Sequence, residues 1–451
     1  MYGDGSRLGR AFRALLKSVA WIGAGLAVLV AGLWVAAWVA DPAVPRNLLF
    51  GQSLSEPAAV QDSRPQAGVR GAPRENIAIG AQVTLDPRGL AAAELYADKM
   101  RSIALLVFHR GALRYERYWP GFDASTRTNP NSMHKGVLAL LVGAAIADGH
   151  IDSVDARASQ WIESWRDTPH RDITVRELLQ MSSGLEVPVF GSWRSSSILF
   201  GSDLERGVRA LGVEAPHGSV FQYNNASSQA LVMLLERATG QPYADYLSER
   251  LWRRLGNADA GLWLDREGGM PRGFCCLFAT ARDWLRVGRL FLDEGRVGAE
   301  AVIPAGWIRE MTTPSPRNRN FGMHVWLGSP PGRQRTYNRY TITAYHSADF
   351  AADDIVYLDG FGGQRVYIVP SLELVIVRTG VSSTDWNDAI LANTVIRAVK
   401  PFRRPRRALR GGRPAMRSGG RRAQVGDAIA AAEAPAIRPS VSAMHNPAPG
   451  R

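Results

Sequence analysis

Apolar positions along this chain fall into three regimes. Residues 18–40 (SVAWIGAGLAVLVAGLWVAAWVA) run without a charged side chain over 23 positions. As a helix rising 1.5 Å per residue, the run is about 34 Å long, enough to cross a hydrocarbon layer of about 30 Å. Residues 41–75 lose all periodicity and turn rich in Pro, Gly, Ser, Gln and Ala, the composition of a linker. From residue 76 the patterns of folded protein take over. Residues 103–109 (IALLVFH) and 112–119 (ALRYERYW) flank Arg110-Gly111 and predict a β-hairpin.

An apolar helix is expected over 136–147, closed by Asp148-Gly149. Further helices are expected over 174–181, 226–239 and 243–255. In the last, Tyr243, Leu247 and Leu251 share a face and Gly256 stops the helix. Residues 355–358, 365–369 and 372–378 return to strand composition. Strands at both ends of a helical middle predict an α+β domain over 76–400, its sheet closed by terminal strands around a helical insert. No internal repeat is visible. Residues 401–451, rich in Arg, Pro, Gly and Ala, are expected to form a disordered basic tail.

Charge sharpens this division. The formal net charge is +13, which would suggest nucleic acid, but it sits at the ends. Residues 1–17 carry four basic side chains against Asp4, and 400–451 carry twelve against Asp427 and Glu433. What remains, 18–399, holds 38 basic and 38 acidic residues, so a nucleic-acid-binding domain is excluded. The basic segment 1–17 before the apolar run places the N-terminus in the cytoplasm and the domain outside, as a single-pass protein of the inner membrane with a periplasmic domain. The alternative is a secretory signal, with a poor small-x-small site after Ala37 or Ala40. The tail reads as solvated; its functional alternative is adhesion to anionic lipid headgroups or envelope polymers. The only cysteines, Cys275 and Cys276, are adjacent and cannot staple distant segments, so they are expected as buried, inert thiols. With scattered histidines and no Cys-x-x-Cys spacing, no metal site and no organic cofactor is implied.

Candidate chemistry begins at Ser132-Met133-His134-Lys135, just ahead of the apolar helix. Three-residue spacing on a helix sets hydroxyl and amine on one face. Serine needs a base to become a nucleophile, and lysine can be that base only when neutral. A helix N-terminus and an apolar setting both disfavour an ammonium. The chain has 50 arginines and only four lysines (Lys17, Lys99, Lys135, Lys400), and arginine could not deprotonate in this role. Tyr223-Asn224-Asn225 precedes the helix at 226–239. A phenol there can relay a proton, and the Asn225 carboxamide can hold a lysine or simply cap the helix. Asp359-Gly360-Phe361-Gly362-Gly363-Gln364 leads into a late strand, where glycine backbone N–H groups can approach a ligand, although an ordinary turn would look the same. His134 projects from another face and is expected in packing or at the surface.

Order and placement of these elements resemble the serine β-lactamase/penicillin-binding superfamily, and within it the class C-related esterases and amidases, especially the 6-aminohexanoate-dimer hydrolase group. ITVRELLQMSSGL (173–185), GFCCLFATARDWLRVGRLFL (273–292) and FGGQRVYIVPSLELVIVRTG (361–380) add to the resemblance, which spans about 75–400. It implies an antiparallel sheet flanked by helices with a mostly helical insert. It also implies Ser132 as acylated nucleophile, Lys135 as base, Tyr223 as proton shuttle and Asn225 as orienting amide. The N–H groups of Ser132 and Gly363 would form the oxyanion hole. Where penicillin-recognising relatives carry Lys-Thr-Gly or His-Thr-Gly, this chain has Gly360-Phe361-Gly362, so the grip on a substrate carboxylate is missing and Phe361 offers an apolar contact. A small-molecule ester or linear amide is therefore the expected substrate. The alternatives are a D-Ala-D-Ala peptidase or β-lactamase, and a non-catalytic cell-envelope binding protein.

Overall fold

In this computed structural model, residues 5–49, 60–75, 77–332, 334–340, 344–383 and 385–400 are described. The basic tail expected at 401–451 lies outside them. The chain begins with α1 (Gly5–Ala40), α2 (Ala43–Leu49), β1 (Gln66–Val69) and α3 (Pro87–Lys99). The hairpin β2 (Ser102–His109) and β3 (Ala112–Tyr118) follows, then β4 (Arg127–Thr128). The middle holds α4 (His134–Ala147), α5 (Val175–Leu179), α6 (Trp193–Phe200), α7 (Leu204–Arg209), α8 (Asn225–Thr239) and α9 (Tyr243–Leu247). Next come β5 (Ala260–Trp263), β6 (Leu277–Thr280), α10 (Ala281–Leu292) and α11 (Ala305–Met311). The chain returns through β7 (Trp326–Leu327), β8 (Val356–Gly360), β9 (Gln364–Val369), β10 (Leu374–Gly380) and α12 (Asp388–Ala398).

Six strands pair antiparallel in the order β3-β2-β10-β9-β8-β7, so the first hairpin and the last three strands close one sheet. Strands β2, β9 and β10 are buried along their whole length, which is why they read as unbroken apolar runs rather than alternations. Alternate residues still serve opposite faces. Leu105, Val107 and Ile376 join the core under α3 and α12, whereas Leu106, Phe108 and Val375 join the core under α10. Thr280 and Asp283 form a capping box that starts α10 as it leaves β6. The insert between β3 and β7 is built around α4, whose residues His134–Ala145 are all buried. It is apolar all round because neighbours surround it, α8 and α11 among them. A smaller sheet, β1-β5-β6-β4, abuts it.

The N-terminal region corrects two expectations. The apolar span is Leu15–Ala40, none of it buried, and its helix continues back through the basic segment to Gly5. Nor are residues 41–75 simply a linker. Helix α2 buries Ala43, Val44, Pro45 and Asn47; Asn47 Nδ2 donates to the Phe200 carbonyl at 2.8 Å, and the Ser202 N–H donates to Asp41 at 2.8 Å. Strand β1 adds to the small sheet beside β5. Elements of four to seven residues whose order comes from tertiary contact leave little periodicity in the sequence.

Candidate active site

Ser132 lies in a 3-10 turn, Asn131–Met133, which runs straight into α4. The turn keeps the S-x-x-K pair on one side: Lys135 Nζ is 3.0 Å from Ser132 Oγ. The amine also donates to Asn225 Oδ1 at 2.9 Å and to the Phe274 carbonyl at 2.8 Å. Lys135 is 1% exposed, and burial lowers its pKa to about 7, against a smaller opposing pull from Asp359. Among the described residues no carboxylate forms an ion pair with it. Its three neighbours can take the three hydrogens of an ammonium, and they accommodate a neutral amine equally well. In the neutral form, two carbonyl oxygens can only accept, matching its two hydrogens, and a hydroxyl can donate to the remaining lone pair.

Helix α8 divides labour between its two leading asparagines. Asn224 caps the helix, its Oδ1 accepting from the Ala226 N–H at 3.0 Å, and its Nδ2 donates to the carbonyls of Leu185 and Glu186. Asn225 is thereby freed to face Lys135, and the capping alternative passes to its neighbour. The Tyr223 ring lies 4.9 Å from Lys135 Nζ. Trp326 stacks on that ring at 6.0 Å, with Phe321 and Tyr337 edge-on. The backbone is clasped as well: Tyr223 N–H donates to the Tyr337 carbonyl, and Asn338 Nδ2 to the Tyr223 carbonyl. Burial in this cage pushes the phenol well above its usual pKa.

The third motif is the turn between β8 and β9. Gly360 is pressed against the serine turn so closely that a Cβ would lie 2.1 Å from the Pro130 carbonyl oxygen. Asn131 Nδ2 donates to the Phe361 carbonyl at 3.1 Å, binding the two segments together, while the Phe361 side chain stands 58% exposed at the rim. Gly363 is elsewhere. At φ +88 it packs on the Trp386 indole, with its carbonyl accepting from Arg378 at 3.1 Å. Gly360-Phe361 is the part of the turn tied directly to the serine segment. Among the described residues, neither the Ser132 nor the Phe361 N–H has an acceptor within the protein.

Buried charges hold this turn. Arg378 binds the carbonyls of Gly362, Gly363 and Met100, and Arg365 binds the Gly360 carbonyl at 2.6 Å. Arg365 also pairs with Asp359 and Asp388 at 2.6 Å each, and Arg335 pairs with Asp388 at 2.9 Å and Asp359 at 3.3 Å. Two guanidiniums thus meet two carboxylates at about 4–5% exposure, and neither cation is left over for a substrate. The paired arginines hold the Asp388 carboxyl well below its usual range despite the opposing cost of burial. Asp388→Asn should destabilise the fold by about 3–5 kcal/mol, read by denaturant unfolding at pH 7, because it strands buried positive charge. In the native protein this contribution is fully present above the ordinary carboxylate pKa, near 4, and fades as pH falls further.

Sequence reasoning missed two participants, the Phe274 carbonyl and the Cys275–Cys276 disulfide. The Phe274 carbonyl is backbone, and no residue type announces it. His134 resolves to packing: it is fully buried, bonded to the Cys275 carbonyl and the Tyr243 hydroxyl, and burial lowers its pKa to about 4. Cys275 and Cys276 are not free thiols, as expected, but a disulfide. Cys276 adopts φ +71, and the left-handed backbone lets adjacent side chains meet. A cavity of about 620 Å³ flanks the Tyr223 cage, lined by Phe221, Gln222, Trp326 and Tyr337, but it includes neither Ser132 nor Lys135.

A family model described as Beta-lactamase matches residues 88–399. The chain belongs to the beta-lactamase family. The 6-aminohexanoate-dimer hydrolase of Paenarthrobacter ureafaciens is 27% identical to this beta-lactamase-family chain over 302 residues, covering 63% of this chain and 73% of that protein. A solved structure from Bacillus anthracis, assigned to the 6-aminohexanoate-dimer hydrolases, aligns with TM-score 0.63 at 21% identity, covering 75% of this chain and 92% of the other. A penicillin-binding protein from Bacillus halodurans aligns with TM-score 0.51 at 14% identity, covering 68% and 98%. The two structures share the fold, an antiparallel sheet with flanking helices, and the family makes the chain a serine hydrolase.

Proposed function

We propose that this chain hydrolyses a neutral carboxylic ester or linear amide through an acyl-enzyme on Ser132. The supporting observation is the geometry at Lys135: its buried amine lies 3.0 Å from the serine oxygen, is held by two carbonyl acceptors and is unpaired with any carboxylate among the described residues. Lys135 takes the Ser132 proton as the oxygen attacks the substrate carbonyl. The tetrahedral oxyanion accepts from the N–H groups of Ser132 and Phe361, which replaces Gly363 in the role first assigned to it. Tyr223, its ring beside the amine, relays the proton to the leaving group. Its raised pKa disfavours tyrosinate, so the lysine is the base. Water then attacks the acyl-enzyme with the same base. Asn225 keeps the amine oriented. Because Arg335 and Arg365 are neutralised by Asp359 and Asp388, the third motif offers no cation to a substrate carboxylate.

The domain, 76–400 with the elements of 41–75 packed on it, works outside the cytoplasm behind a membrane anchor at 15–40. A fluorophosphonate probe is expected to label the full-length protein at Ser132, mapped by peptide mass spectrometry. Neutral esters or amides should turn over, and a fluorescent penicillin should acylate poorly. Hydrolysis without adduct would overturn the mechanism; rapid penicillin acylation would overturn the substrate class.

A further inference from the structure

One acceptor of the Lys135 amine is the carbonyl of Phe274, and the next two residues are the linked pair Cys275–Cys276. This segment enters β6 with its peptide groups engaged on several sides. The Gly273 N–H donates to Gln229 Oε1 at 3.0 Å, the Cys275 carbonyl bonds His134 Nδ1 at 2.6 Å, and the Cys276 carbonyl accepts from the Trp263 N–H at 3.3 Å. His134 is the residue directly before Lys135, so the same strand lead-in is gripped by both members of the His-Lys pair. Cys276 occupies the left-handed region at φ +71, which L side chains rarely adopt, and it and Cys275 are buried, 0% and 7% exposed. A ring closed by adjacent cysteines restricts this one peptide unit to few conformations.

We propose that the Cys275–Cys276 disulfide is a positioning element for the reaction, fixing the Phe274 carbonyl against the Lys135 amine, and that its reduction slows acylation of Ser132. The inference rests on the hydrolase reading above. A dithiol reductant transfers two electrons and two protons to the sulfurs. The S–S bond breaks, Cys275 and Cys276 each become a thiol, and the reductant leaves as its own cyclic disulfide. The backbone at 274–276 then regains freedom, and Cys276 can relax toward negative φ. The lysine loses the fixed acceptor that aims its lone pair at the serine. Errors of about 1 Å in such a geometry cost up to about 100-fold in rate. An oxidising compartment outside the cytoplasm would preserve the active form.

The test uses the full-length chain purified in detergent without reductant. Its intact mass should lie about 2 Da below that of the dithiothreitol-treated protein, one hydrogen for each sulfur. Two thiols alkylated without reduction in the denatured, freshly purified protein would overturn the proposal. Reduction should lower kcat and the rate of fluorophosphonate labelling about tenfold, leaving KM and far-UV circular dichroism unchanged, with recovery on reoxidation. The double variant Cys275→Ser/Cys276→Ser should match the reduced enzyme and ignore reductant, and it decides the matter if reductant fails to reach the buried bond. Equal rates for oxidised protein, reduced protein and double variant would sink the positioning role while leaving the hydrolase reading intact. An oxidised protein that never labels at Ser132 defeats the hydrolase reading first, and this one with it.

Discussion

Ser132→Ala should reduce kcat for ester or amide hydrolysis by about 10⁴–10⁶-fold and abolish fluorophosphonate labelling, with folding stability changed by under about 1 kcal/mol. The size follows from what the hydroxyl does. It is the atom that forms the covalent bond, and removing it leaves only binding and the N–H donors to act on water. The small stability effect follows from its setting: Ser132 is half-buried, in a turn held by Asn131 and its neighbours rather than by its own side chain. A variant that kept more than about a hundredth of wild-type turnover would place the nucleophile elsewhere.

The second large effect belongs to the base. For the wild type, kcat/KM should rise with pH through about 7 as the Lys135 ammonium loses its proton, with a slope of one. Lys135→Arg should lose on the order of 10³–10⁴-fold and show no such limb, because a guanidinium stays protonated. Linkage gives an independent check. The folded pKa lies below that of the unfolded lysine, so between about 7 and 10 the unfolded chain binds more protons. Lys135 should therefore make the fold more stable as pH rises across that window, a trend the arginine variant lacks. A limb surviving in Lys135→Arg would assign it to another group.

What could be read from sequence, and what could not, divides along physical lines. The apolar helix after Ser132, the first hairpin and the three closing strands carry their period in their own side chains, and they form at or near the expected positions. The S-x-x-K spacing fixes a distance because both residues lie on one local turn. Tyr223 and Asn225 were legible as a pair only through the helix that follows them, and which asparagine caps that helix was not. The surroundings of each glycine in the late turn were not legible, because glycines in a hairpin turn look alike until the partners of each are known. Here Trp386 and Arg378 claim Gly363, and Pro130 abuts Gly360. The buried quartet of Arg335, Asp359, Arg365 and Asp388 was invisible for the same reason: its members are up to 53 positions apart, from 335 to 388, and only the sheet brings them together. The disulfide escaped because side chains of neighbouring residues ordinarily point apart.

Helix α2 carries one more implication. Just Asp41 and Pro42 separate it from α1, and both Asp41 and Asn47 are tied to the body of the protein. Two residues span at most about 7 Å. In an anchored chain this is a short stiff neck, so the hydrolase would ride the bilayer at a set height and tilt. It would meet compounds that come to that layer, and it could not sweep outward for distant ones.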